Sequence, residues 1–142
     1  MFSWTSALAE QTVTAQWTAE DVDMLAKLIY TEARGVPSRM EQAAVVWCAL
    51  NRVDSDRWPD TIKDNITRPN QFAWNPDAPL LTEYQILAEN VLWRWSHEKQ
   101  GIESGRVLPK EYCFFAGRDG RNWFRDGKGN RWDWRLESPY EN

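Results

Sequence analysis

The feature that most limits how this chain can fold is the run Ala43-Ala44-Val45-Val46-Trp47-Cys48-Ala49-Leu50, which offers no polar side. A helix that is apolar almost all round has to be covered on most sides. The remaining elements must therefore wrap this one. A chain of 142 residues is enough for one domain to do so, burying about two-thirds of the surface it exposes when unfolded. No metal or disulfide framework is needed to hold such a core.

The flanking sequence supplies the wrapping elements. Residues 1–17 form a leader of low pattern, a possible N-terminal extension with Trp4 and Trp17 as anchors. Thr18 and Asp21 resemble a capping box, and Val22, Leu25, Leu28 and Ile29 recur at the spacing of one helical face. Gly35 and Pro37 end that helix. Ser38 opens the central helix, with Glu41 as its capping-box partner. A short helix is expected over Asp60–Thr67, stopped by Pro69. Another begins at Thr82, with Gln85 at the capping-box position, and ends at Gly101. Beyond Arg106 the pattern becomes strand-like at Tyr112-Cys113-Phe114-Phe115. Asp126-Gly127-Lys128-Gly129-Asn130 is a turn signal between aromatic, alternating segments, which predicts a β-hairpin there. The whole reads as mainly α (α+β), one domain over 1–142 with a small C-terminal hairpin.

Charge and composition narrow the function classes. The net charge of −4 argues against a nucleic-acid module. The segment Arg106–Arg135 nevertheless carries +4. It could meet an anionic polymer or be a solvated hairpin. Ten tryptophans are an outlier, and Trp58, Trp74, Trp123, Trp132 and Trp134 lie in loop or short-strand sequence. Such residues can pack, or can offer ring faces to sugars. Cys48 reads as a core thiol, and a bridge to Cys113 stays open. One histidine, His97, with no CxxC or HxxxH spacing, gives no metal site. No cofactor is expected, and the chain is expected to be a monomer.

No stretch is long and apolar enough for a membrane span, and no signal peptide is visible. If the target is a cell wall, three routes fit. The protein could accumulate in the cytoplasm before release, as phage lysins do. It could be a virion component, or an exported protein trimmed of its leader.

Glu32 is the residue at odds with its surroundings. It shares the apolar face of its helix with Leu28 and Ile29, which desolvates the carboxylate and raises its pKa. It also lies in the last helical turn, where the backbone dipole disfavours negative charge. Both effects favour the neutral acid, the form that donates a proton to a leaving oxygen. An ion pair with Lys27, Arg34 or Arg39 would account for the position equally well.

The stretch Tyr30-Thr31-Glu32-Ala33-Arg34-Gly35 resembles the Y-x-E-A-R-G signature of the cell wall hydrolase family of the spore-cortex-lytic enzyme SleB/CwlJ type. Gln42-Ala43-Ala44-Val45-Val46 with Leu50-Asn51-Arg52-Val53 is similar to that family's Q-x-A-x-x-V-x-L-N-R-V helix. Trp58-Pro59-Asp60-Thr61-Ile62, Ile66, Pro69 and Gln71-Phe72 are similar to its P-x-T-I…P-x-Q-F segment. Val36 and Ala73 depart from the pattern, standing where an acidic residue and a serine are common.

The resemblance implies a lysozyme-like helical domain with Glu32 as the catalytic residue. It implies a peptidoglycan substrate cut between N-acetylmuramic acid and N-acetylglucosamine, by a lytic transglycosylase with a single carboxyl. Gln71 and Phe72 are the first choices for groove residues, by amide hydrogen bonding and sugar-face packing, or else anchor their loop. Tyr30, Trp74 and Asn122 are further substrate-binding candidates, and Arg34 is expected to stabilise the helix end. No second carboxylate is marked by position, although Asp77, Asp119 and Asp126 lie in loops. A hydrolytic muramidase and a non-catalytic Trp-rich wall-binding module are the alternatives.

Overall fold

In the computed structural model, residues 16–118 and 120–132 are described. The leader before residue 16, Asp119 and the segment with Trp134 lie outside them. Among the described residues the chain runs as α1 (Ala19–Ala33), α2 (Arg39–Val53), α3 (Ile62–Thr67), α4 (Thr82–Lys99), β1 (Phe114–Arg118) and β2 (Arg121–Arg125). The fold is mainly α, with one antiparallel hairpin.

The central element is α2, as its composition demands. Every residue from Ala43 to Leu50 is buried, and Trp47 is among the largest fully enclosed side chains. The helices α1, α3 and α4 all pack on α2, and α1 also packs along α4. Trp17 sets its ring edge against Trp93, with centroids 5.1 Å apart, and so anchors the entry to α1. No helix among the described residues is long and apolar enough to cross a membrane.

The helix starts show where local chemistry decided the structure. At α1 the capping box is complete: Thr18 Oγ1 accepts from the Asp21 amide, and Asp21 accepts from the Thr18 amide. At α2, Ser38 Oγ accepts from the Glu41 amide. The Glu41 carboxylate does not return the bond, because the hairpin has claimed it. At α4 the expected box is not formed. Leu81 is the N-cap without a side-chain bond, and Gln85 instead donates to Asp23 on α1. The short helix starts at Ile62 behind an N-cap Thr61, later than the Asp60 start expected.

The hairpin also differs from expectation. Its strands are joined between Arg118 and Arg121, with Phe115 opposite Phe124 and Ala116 opposite Trp123. The Asp126–Asn130 turn lies one step further on and brings Arg131 back against Arg125 as an isolated bridge. Asp126 builds that turn by accepting from the Lys128 and Asn130 amides and from Asn130 Nδ2. These bonds hold its carboxyl below the usual range. The turn signal at Asp126–Asn130 was real, but the Cα pairing shows that it is not the turn that joins the strands.

Cys48 and Cys113 are free thiols, both buried. Burial pushes both thiols up, Cys48 furthest.

Candidate active site

The C-terminal end of α1 is tied by side chains from several elements. Helix ends leave carbonyls without partners, and here side chains from elsewhere supply donors. Gln42 Nε2, on α2, donates to the Ala33 carbonyl at 3.2 Å and the Val36 carbonyl at 3.3 Å. Asn122 Nδ2, on β2, donates to the Glu32 carbonyl at 3.0 Å. Arg34 Nη1 donates back to the Tyr30 carbonyl at 3.0 Å, its guanidinium lying over the Tyr30 ring. The C-cap residue Arg34 stays right-handed, so the helix ends on these side chains and not on a left-handed glycine. Arg34 stabilises the helix end, as expected.

Glu32 projects from this fixed end, half-buried. Its Oε2 accepts from the Ala73 amide at 2.8 Å. Burial raises the carboxyl pKa, and the Ala73 hydrogen bond opposes that in part. The Ala73 amide is delivered by the loop after α3, which turns at Asn70 with a left-handed φ of 64°. Because the contact is through backbone, alanine serves at position 73 as well as serine. Val36, the other departure from the family pattern, is buried beside Glu32 and adds apolar wall.

Glu32 faces a cleft of about 400 Å³ between the end of α1 and the hairpin. Gly35, Val36, Gly117, Arg118, Gly120, Arg121 and Asn122 complete its lining. The hairpin is held there by Glu41. That side chain is fully buried, accepting from Arg121 Nε at 3.0 Å and from the Asn122 amide at 2.6 Å.

The other candidate residues fall in different places. Asn122 is 4% exposed and reaches the cleft as a brace on Glu32. Gln71 is exposed, and its Oε1 accepts from Arg52 Nη1 at 2.9 Å. Phe72, expected on the groove wall, is buried under the Arg52 guanidinium and against Phe115, so its ring anchors the loop. Tyr30 and Trp74 do not line the Glu32 cleft. Trp74 lies in a separate depression with Lys27, Lys63 and Pro76. Trp58 packs edge-on to Phe114, and Trp132 to Tyr112.

Sequence reasoning missed Glu41, Arg118 and Arg121 as parts of this site. The basic bias of the C-terminal segment was the available signal for the two arginines. Nothing in the sequence distinguished Glu41 from an ordinary first-turn acid.

The cell wall hydrolase family model matches residues 38–131, more than half of the chain. The chain belongs to the cell wall hydrolase family. A spore cortex-lytic enzyme of Oceanobacillus iheyensis is 34% identical over 67 residues, covering 47% of this chain and 24% of that protein. The chain thus spans about a quarter of the length of that relative. No solved structure matches. The cell wall hydrolase match begins at the N-cap of α2, so Glu32 lies ahead of it, while Gln42, Asn51, Arg52 and the hairpin lie inside.

Inside the match, polar side chains near the end of α2 tie it to the segment before β1. Asn51 Nδ2 donates to the Pro109 and Tyr112 carbonyls, both at 2.9 Å. Arg52 Nε donates to the Cys113 carbonyl at 2.8 Å. These bonds fasten the segment leading into β1 to the end of α2. With Gln42, they make the cell wall hydrolase motif a set of ties between α2 and the two elements that enclose Glu32.

Proposed function

We propose that this cell wall hydrolase cleaves the peptidoglycan glycan strand between N-acetylmuramic acid and N-acetylglucosamine as a lytic transglycosylase, with Glu32 as its catalytic residue. One observation carries the reading: a half-buried carboxyl, shifted toward its protonated form, faces an open cleft. Protonated Glu32 gives its proton to the glycosidic oxygen as the bond from the muramyl C1 breaks. The muramyl C6 hydroxyl oxygen then bonds to C1 and closes the 1,6-anhydro ring. Its proton passes to the Glu32 carboxylate, which restores the acid. One carboxyl therefore serves both steps.

Among the described lining residues Glu32 is the sole carboxylate, which favours this route over a paired-carboxylate hydrolysis. The buried Glu41 is committed to Arg121 and Asn122 and has no path to substrate. Arg118 and Arg121 give the cleft a positive wall suited to a polymer bearing carboxylates.

Glu32→Gln tests the assignment. The amide oxygen can still accept from Ala73, so the fold is retained. Glycan cleavage should fall by roughly 10²-fold or more, the usual contribution of a general acid. Mass spectrometry of digested peptidoglycan should show anhydro-muramyl ends from the parental protein. Reducing ends would assign a hydrolytic muramidase instead. Near-parental cleavage by Glu32→Gln would remove Glu32 from the mechanism. The parental rate should also decline as pH rises through the elevated pKa of Glu32, because the proton donor is lost.

A further inference from the structure

Given that the Glu32 cleft takes the glycan strand, we propose that the outer face of the hairpin is an adjoining subsite for carboxylates of the same polymer. Strand alternation builds this face. Asn122 and Phe124 point into the core, which sends Trp123 and Arg125 outward. The register sets Ala116 opposite Trp123, and so small a neighbour leaves space beside the indole. The indole N–H donates to the Arg118 carbonyl at 3.0 Å, which fixes the ring. The result is a notch of about 140 Å³ lined by Ala116, Gly117, Arg118, Trp123, Arg125 and Arg131.

Two observations point to an anionic ligand. Arg125 and Arg131 are bridged neighbours, so two guanidinium side chains share one small site. Like charges placed opposite each other are unfavourable, and an anion between them relieves the repulsion. The nearest carboxylate in sequence, Asp126, is committed to its own turn. Guanidinium groups also match a carboxylate in geometry, through paired N–H donors. Second, the notch borders the Glu32 cleft across the end of β1, since Gly117 and Arg118 line both. A strand seated at Glu32 thereby brings its side groups to Trp123 and the two arginines. The available carboxylates are the lactyl group of muramic acid and those of the peptide stems.

The test is binding, in a Glu32→Gln background so that turnover does not intervene. Sedimentation would compare insoluble peptidoglycan with intact stems, the same material stripped of stems, and material whose carboxylates are all converted to amides. Arg125→Gln with Arg131→Gln should weaken binding to intact peptidoglycan by about tenfold, from roughly threefold per exposed charge contact. Arg→Lys at both positions should restore part of it, and added salt should erase the difference. The difference should also vanish on the amidated polymer. If it persists on stripped strands, the lactyl carboxylate is the ligand. If it disappears there, the stem is.

Equal binding of the parental and double-Gln proteins to all three materials, with glycan cleavage by the Glu32 parent intact, overturns the subsite alone and leaves a solvated hairpin. A loss that is equally large on the amidated polymer also overturns it, because the arginines then act without a carboxylate. Absence of peptidoglycan binding by every form overturns the subsite together with the reading on which it rests.

Discussion

Replacing Glu41 by Gln should loosen the hairpin from the helix that carries Glu32. The buried carboxylate accepts one bond from Arg121 Nε at 3.0 Å and one from the Asn122 amide at 2.6 Å. A glutamine can keep only one of them. Its oxygen can serve Asn122, but its NH₂ then faces the Arg121 guanidinium, donor against donor. The Asn122 bond also loses its charge assistance. A hydrogen bond to a charged group is worth about 1.5–3 kcal/mol and a neutral one about 1 kcal/mol. The gross loss is therefore about 3 kcal/mol. Two effects reduce it. Arg121 is 39% exposed at its side chain, so water can solvate its freed charge. The amide is also less costly to bury than a carboxylate. A net destabilisation of about 2 kcal/mol follows, which for a chain of this size lowers Tm by roughly 6–10 °C. Denaturant unfolding followed by circular dichroism measures the free energy. Hydrogen exchange at the Asn122 and Trp123 amides locates it, and should accelerate there before the amides of α2 respond. A change within about 0.5 kcal/mol, the range of ordinary surface substitutions, would refute the buried-tie argument.

Glu32 gives stability a defined pH dependence. Its folded pKa is raised, so the folded state holds the proton more tightly than the unfolded chain does. That contribution is full below the ordinary carboxylate value and is lost as pH rises through the raised one. The parental protein should accordingly lose stability relative to Glu32→Gln from about pH 4 upward, and a constant difference across acid and neutral pH would contradict the desolvated site. Gly127 has φ +82°, and a Cβ there would lie 2.9 Å from Phe114 Cε2. Gly127→Ala should cost about 2 kcal/mol. Gly129→Ala, at φ +99° with nothing within 4 Å, should cost less. Equal losses in thermal melts would discount the Phe114 contact. Cys48 and Cys113 should both resist thiol reagents at pH 8 in the native protein and both react in denaturant, since both are buried free thiols. Rapid labelling of the folded chain would contradict their burial.

What the sequence could carry was local. The helix over Ala19–Ala33, the Thr18 capping box and the enclosed position of α2 follow from spacing and side-chain chemistry within a few residues. The Gln42, Asn51 and Arg52 blocks were visible as a family resemblance, but their physical task was not. It consists of bonds to carbonyls as far away as Tyr112 and Cys113, and no spacing along the chain encodes those distances. The misplaced hairpin has the same origin. A turn signal does not say which segments pair across it, and that depends on the register that packs Phe115 against Phe124.

By itself, the sequence determined that an apolar helix must be enclosed and that Glu32 ends a helix on its apolar face. Those are consequences of periodicity, which the chain carries in its own order. Only the tertiary structure decided that the Ala73 amide meets Glu32, that Phe72 turns inward, and that Glu41 holds the hairpin across the cleft. Each of these is a buried polar or apolar group finding its partner from a distant segment. Burial makes such partners obligatory, but only the assembled fold can say which they are.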